Sequence, residues 1–215
     1  MSNQLKKLLT EFEYLEQNSI NIKKGSIFLA YPGEIKDGRH YINEAIEKGA
    51  AAIIYDPLDF EWDAQWKLPN LPVKNLKDNI SNIASEFYDH PSKKINLIGV
   101  TGTNGKTSSV FWINQCLKNL DRKATMISTI GYGFINNLYP TKNTTPDAIE
   151  IQKIINNFNI NKVQDVCIEV SSHGIKQGRV AGIDFDVRVF TNLSRDHLDY
   201  HDSIESYANI KKEFL

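Results

Sequence analysis

Three glycines at a spacing of three, Gly99, Gly102 and Gly105, run directly into Lys106-Thr107. A glycine-rich turn of this kind lets backbone N–H groups face an anion, and a helix opening behind it adds the positive end of its dipole. In such a cradle Lys106 reaches the outer phosphates of a nucleotide and the Thr107 hydroxyl ligates Mg²⁺. The spacing is not the general G-x-x-x-x-G-K-[ST] pattern, because Val100 stands five positions before Gly105. The alternative is an ordinary glycine-rich turn. An apolar run before the glycines and a helical pattern after them (Val110, Phe111, Ile113, Leu117) favour nucleotide binding.

Four further clusters have chemistry in them. Glu169 ends an apolar run and precedes Ser171-Ser172-His173; a carboxylate there could hold Mg²⁺ or orient a water, or simply face solvent. In Thr191–His201, two histidines and two aspartates fall within six residues. No cysteine partner or His-x-x-x-His helix accompanies them, so a single histidine near Mg²⁺ or phosphate is a better reading than structural zinc. Lys211 completes the apolar stripe Ile204, Tyr207, Ala208, Leu215 of the last helix, where a lysine either snorkels outward or serves a site as cation or as an amine of lowered pKa. Asn143-Thr144-Thr145 and Gln177-x-Arg179 read by themselves as caps and surface groups.

The elements that must position these groups alternate strand and helix. Helix is expected over Leu5–Leu15, strands over Ser26–Tyr31, Ala50–Tyr55 and Leu71–Leu76, and helices up to Lys48 and over Asp78–Tyr88. Leu58–Asn70 reads as a polar surface loop, and His90–Lys94 as a linker, giving domains of 1–92 and 93–215. Beyond the glycine loop, strands are expected over Lys123–Thr129, Val163–Val170 and Phe185–Asn192, with a hairpin from Gly131 to Tyr139. A helix follows a Thr145 cap, and another starts at Asp202 with a capping-box spacing to Glu205. The fold class is α/β, with a parallel, doubly wound sheet around the loop. A formal net charge of −1 without a long basic run argues against a nucleic-acid partner. No apolar run approaches the ~18 residues of a membrane span, nor is there a signal-peptide pattern. Cys116 and Cys167 read as reduced core residues of a cytoplasmic protein. Unaided, this describes an ATP-using α/β enzyme or switch.

Gly99-Val-Thr-Gly-Thr-Asn-Gly-Lys-Thr, Asn143-Thr-Thr-Pro, Glu169-Val-Ser-Ser-His and Thr191-Asn-Leu-Ser-Arg-Asp-His-Leu-Asp-Tyr-His together resemble the Mur ligase family, in family order. Gly25-Ser-Ile-Phe-Leu-Ala and Asp37-Gly-Arg-His-Tyr-Ile are similar to the UDP-binding domain of the branch that adds the third stem-peptide residue. The resemblance implies a small N-terminal α/β UDP-binding domain followed by an incomplete parallel-sheet P-loop ATPase domain. It implies that Gly102, Thr103, Asn104, Gly105, Lys106, Thr107 and Ser108 cradle ATP. Thr107 and Glu169 would hold Mg²⁺, with His197 organising a second ion. Lys211 matches a carbamylated lysine that acts as an anionic metal ligand. Lys106, Glu169, His197 and Lys211 form the implied catalytic set. Ser19, Thr144, Thr145, Ser171, Gln177 and Arg179 fall where the family binds its UDP-muramoyl peptide.

The implied reaction phosphorylates UDP-N-acetylmuramoyl-L-alanyl-D-glutamate and joins a diamino acid, meso-diaminopimelate or L-lysine, to the acyl phosphate. The protein is expected to be monomeric. Asn18-Ser19-Ile20 and Gly174 depart from the family pattern. So does the length: the chain stops at Leu215, so an inactive fragment is expected. The rivals are another ligase of the superfamily, such as a folylpolyglutamate synthase, and a non-catalytic nucleotide-binding module.

Overall fold

Short runs of β-branched and aliphatic residues, each closed by a turn residue, form two separate sheets, one wholly parallel and one parallel except for an antiparallel hairpin at its edge. The computed structural model describes residues 2–196, 198–201 and 203–215, the side chains of Leu198 and Asp199 excepted. The chain divides into Met1–Phe87 and Tyr88–Leu215, slightly before the boundary expected at 92/93. Pro91 and Ser92 of the expected linker are buried, in a 3₁₀ turn (Pro91–Lys94) packed on the second unit.

The first unit holds β1 (Tyr14–Glu16), β2 (Ser26–Ala30), β3 (Ala50–Tyr55) and β4 (Asn70–Pro72), paired in sequence order and all parallel. Around them lie α1 (Asn3–Thr10), α2 (Ile42–Glu47) and α3 (Leu76–Phe87). The helix expected over Leu5–Leu15 stops at Thr10. Leu15 instead pairs with Ile27 and is buried as part of an edge strand. Leu76 starts α3 rather than ending a strand, because its N–H donates to Asp56 Oδ2 at 2.9 Å. The Leu58–Asn70 segment is also not the plain surface loop expected. Phe60, Trp62 and Trp66 pack against the β2–β3 core, with Trp62 5.0 Å from Tyr55 ring to ring.

The second unit contains β5 (Asn96–Thr101), α4 (Lys106–Asn119), β6 (Ala124–Ser128), β7 (Gly131–Phe134), β8 (Asn137–Tyr139), α5 (Ala148–Ile160), β9 (Asp165–Glu169), α6 (Ser172–Lys176), β10 (Val187–Phe190), α7 (Leu198–His201) and α8 (Ile204–Phe214). The strand order is β10-β5-β9-β6-β7-β8. The first four are parallel, and β7–β8 is the expected hairpin, antiparallel at one edge. The order places the ends of β5 and β9 side by side, and the chain leaves them in opposite directions. Such a switch point opens a crevice at the carboxyl ends of the strands. Two apolar layers fill the space between sheet and helices, one around Ile127, Ile155, Val166 and Ile168, the other around Val100, Val110, Met126 and Cys167.

Three local expectations are corrected. Asp147, not Thr145, caps α5, accepting from the N–H groups of Ile149 and Glu150. Ser203 caps α8; the Asp202 of the expected box lies outside the described residues. Cys116 is exposed, because α4 turns it away from the sheet, whereas Cys167 is buried in β9.

Candidate functional site

The loop between β5 and α4 takes its shape from Gly102, whose φ of +145° favours glycine; a Cβ there would also overlap Thr191 Oγ1. Behind it, α4 begins at Lys106, so the free N–H groups of its first turn face the loop. Lys106 Nζ folds back to donate to the carbonyls of Gly102 (3.0 Å) and Thr103 (2.8 Å). Asn104 and Ser108 are exposed at the mouth, and Thr103 is buried beneath it.

Glu169 ends β9 beside this loop and is 2 % exposed. Its Oε2 accepts from Thr107 Oγ1 at 2.8 Å, and from both the N–H and the hydroxyl of Thr129 at 3.1 Å. Thr129 was not anticipated. It directly follows β6, a parallel neighbour of β9, and that strand-end placement is the signal that could have found it. Its Oγ1 lies 3.0 Å from Thr144 Oγ1.

On the other side of Glu169, Thr145 Oγ1 donates to the Glu169 carbonyl at 2.9 Å and accepts from the Ser171 N–H at 2.9 Å. This use of its hydroxyl is why Thr145 does not cap α5. Arg179 donates through NH1 to the Thr145 carbonyl (2.6 Å) and through Nε to Gln177 Oε1 (2.9 Å). Gln177 therefore aims the guanidinium, and Tyr200 Oη stands 3.3 Å from Gln177 Nε2. Gly174, the departure from the family pattern, lies in α6 under Thr145. An added Cβ would sit 3.0 Å from Thr145 Cβ and Cγ2.

Lys211 faces inward on α8 at 2 % exposure. The expected stripe is corrected at its end: Phe214 packs on Phe185 while Leu215 is exposed. Lys211 Nζ donates to the Gly102 carbonyl at 2.9 Å and lies 4.5 Å from the Tyr207 ring centre. Burial, and secondarily the Lys106 charge, lowers its pKa to about 8. Tyr207 Oη reaches Thr103 Oγ1 at 3.2 Å, so α8 supports the loop from below.

These groups line one cavity of about 350 Å³: Lys106, Glu169 and Lys211 on the glycine-loop side, Thr144, Thr145, Ser171 and Arg179 on the other. His197, expected near a second metal ion, lies outside the described residues. Ser19 belongs to the first unit, where it lines a cavity of about 520 Å³ with Tyr31 and Tyr41. Its Oγ donates to Glu44 Oε2 at 3.1 Å, and Lys48, then Ser19, hold the Glu44 carboxyl below its usual range. Among the described residues no three His, Cys, Asp or Glu side chains gather as around a fully protein-held metal. The hard oxygens of Thr107 and Glu169, side by side at the loop, do suit Mg²⁺, which completes its shell with waters and phosphate oxygens.

Comparison with known proteins gives two profile matches: "Mur ligase family, catalytic domain" over residues 11–88, and "Mur ligase middle domain" over residues 100–215. The chain is 44 % identical over 211 residues to a UDP-N-acetylmuramoyl-L-alanyl-D-glutamate–2,6-diaminopimelate ligase of Nitrosomonas europaea, covering 98 % of this chain and 40 % of that protein. It is 44 % identical over 198 residues to the same-named ligase of Coxiella burnetii, covering 92 % and 40 %. The chain thus spans about 40 % of the length of these relatives. A solved structure of such a diaminopimelate ligase superposes with a TM-score of 0.79 at 28 % identity, covering 94 % of this chain and 40 % of its own. A Thermotoga maritima MurF ligase in complex with ADP shares the fold at a TM-score of 0.65 and 22 % identity, covering 99 % and 44 %.

Proposed function

Because this chain belongs to the Mur ligase family, we propose that it carries the ATP site and the UDP-muramoyl-peptide site of a ligase that extends UDP-N-acetylmuramoyl-L-alanyl-D-glutamate. The observation that carries the reading is the meeting of the two halves at Glu169: its carboxylate is bonded to Thr107 of the phosphate loop, and its backbone to Thr145 of the opposite wall. The names of its relatives support 2,6-diaminopimelate as the incoming amine, ahead of lysine. We propose that it works in the cytoplasm as a monomer; among the described residues no helix is long and apolar enough to cross a membrane.

In this reading the terminal carboxylate of the dipeptide attacks the γ-phosphorus of ATP and ADP leaves. The amine then attacks the acyl carbon, expels phosphate and gives up a proton to solvent. Lys106 leaves the loop carbonyls to meet the phosphates, and the first turn of α4 supplies N–H donors to them. Arg179, held in place by Gln177 and Thr145, offers a fixed fork to a carboxylate of the peptide. Thr107 and Glu169 would hold Mg²⁺, which when bound offsets the negative charge of phosphates and carboxylate. Lys211, whose pKa of about 8 leaves a fraction of its amine uncharged near neutral pH, can add through that neutral form to CO₂, releasing a proton to solvent, as an N-carbamate and so place an anion at the same cavity.

The test is calorimetric titration of the chain with UDP-N-acetylmuramoyl-L-alanyl-D-glutamate, with and without Mg·ATP. Saturable binding is expected, and Arg179→Ala should weaken it by about a hundredfold, as loss of a charge-assisted bidentate contact does. A folded chain that binds neither ligand would refute the proposal.

A further inference from the structure

Thr103 and Asn104 stand at the centre of the phosphate loop, yet neither backbone N–H faces the cavity. Thr103 N–H donates to the Asn192 carbonyl at 2.9 Å, and Asn104 N–H to Asn192 Oδ1 at 3.1 Å. Asn192 Nδ2 returns a bond to the Asn104 carbonyl at 3.1 Å, so one carboxamide grips both polar groups of Asn104. Thr191 Oγ1 adds a second donor to that carbonyl at 2.7 Å, and the Ser194 N–H donates to Thr103 Oγ1 at 3.0 Å. Two donors that a glycine-rich loop could offer an anion are thus committed to the segment after β10. The anion site is left to the first turn of α4 and to Lys106.

We infer that Asn192 is a positioning residue for the nucleotide, acting through the two peptide groups that flank the Asn104 Cα. This rests on reading the loop as an ATP site. A carboxamide carries the same donor and acceptor as a peptide group, so it fixes two successive peptide units, 103–104 through the Asn104 N–H and 104–105 through the Asn104 carbonyl. Without it only Thr191 Oγ1 holds the Asn104 carbonyl, and the 104–105 peptide is freer to turn that oxygen toward the phosphates and repel them. Alanine supplies neither contact. Aspartate keeps the acceptor for Asn104 N–H but sets an anionic oxygen against the Asn104 carbonyl. Asn192 and Asn104 are both exposed, so substitution leaves the apolar core intact.

The experiment compares wild type, Asn192→Ala and Asn192→Asp by amide hydrogen exchange without nucleotide, and by calorimetry with Mg·ATP and, separately, with UDP-N-acetylmuramoyl-L-alanyl-D-glutamate. In Asn192→Ala, exchange at Asn104 should accelerate and Mg·ATP should bind about tenfold more weakly, the scale set by losing two exposed amide contacts. Binding of the muramoyl dipeptide should hold within about twofold of wild type, which a general loosening of the fold would not allow. Asn192→Asp should keep Asn104 protected and still weaken Mg·ATP, by its charge. Unchanged Mg·ATP affinity in Asn192→Ala, or equal losses for both ligands, overturns the assignment. A wild-type chain with protected Asn104 that binds no Mg·ATP refutes the ATP reading itself, and the assignment with it.

Discussion

Arg39 in the first unit and Lys211 in the second are both long cations withdrawn from water, at 8 % and 2 % exposure, but their surroundings are opposite. Arg39 is wrapped in acceptors. Its Nε and NH2 meet the Asp37 carboxylate, its NH1 meets the carbonyls of Asp56 and Leu58, and its guanidinium lies 5.0 Å from the Phe60 ring centre. The Asp37 bond raises the arginine pKa and lowers that of its partner. Lys211 has one carbonyl, a ring, the like charge of Lys106 and, with a smaller effect, the opposite charge of Asp196 beside it, and with burial outweighing that last attraction its pKa falls. Burying a charge is costly unless it is paired and hydrogen-bonded. A cation whose surroundings meet that condition holds a fold, here by tying the Leu58–Asn70 aromatics to the sheet. One kept short of acceptors at a cavity wall does not hold the fold in that way.

The largest effect expected from this contrast is in the first unit. Arg39→Met leaves Asp37 without its partner and frees the carbonyls of Asp56 and Leu58. It should cost about 3 kcal/mol, the scale for breaking a mostly buried pair, read as a lower urea midpoint, with Mg·ATP affinity held within about twofold. A loss below about 1 kcal/mol would break the comparison, because Arg39 would then hold nothing together.

Lys211→Met should behave in the opposite sense, with stability at neutral pH equal to or above wild type. The pH dependence sharpens this. The unfolded lysine titrates near 10.5 and the folded one at about 8. Between these values the unfolded chain binds the extra proton, so stability rises with pH. Below about 8 both states carry the charge and the penalty is whole. Wild type should therefore gain on Lys211→Met across that window in urea melts. If it loses ground instead, Lys211 is stabilised as a cation and belongs with Arg39.

Much of the second unit was legible because single residues there have few other uses. Gly102 needs a left-handed backbone against Thr191, and Lys211 puts a charge on an apolar stripe. Pairing across the sheet was less legible. Thr145, between Thr144 and Pro146, has every local feature of a helix cap, yet its hydroxyl is claimed by the carbonyl of Glu169, 24 residues on. In the first unit the polar residues around Phe60, Trp62 and Trp66 hid an aromatic cluster whose partners, Tyr55 and Arg39, come from elsewhere in the chain. Local propensity does not encode such contacts, and tertiary packing overrides it.

Thr129 tests the smallest version of the contrast, since it is exposed and still joins both walls of the cavity. Its hydroxyl has one proton. If that proton goes to Glu169, Thr144 must donate to Thr129, and donors converge on the Glu169 carboxylate from both walls, Thr144 through Thr129 on one side and Thr107 of the glycine loop on the other. Thr129→Val keeps the shape and the N–H bond to Glu169 but cuts the link from Thr144. Stability should stay within about 0.5 kcal/mol, as for most exposed positions. Each ligand alone should bind nearly as before. The gain in muramoyl-dipeptide affinity produced by Mg·ATP should shrink about threefold, within the usual range of coupling between sites, and Thr129→Ser should restore it. Linkage demands the same loss when the order of titration is reversed. If the coupling survives in the valine variant, the two walls communicate through the Glu169 backbone and Thr145 instead, and the polar groups at the end of β6 serve only to hold the carboxylate still.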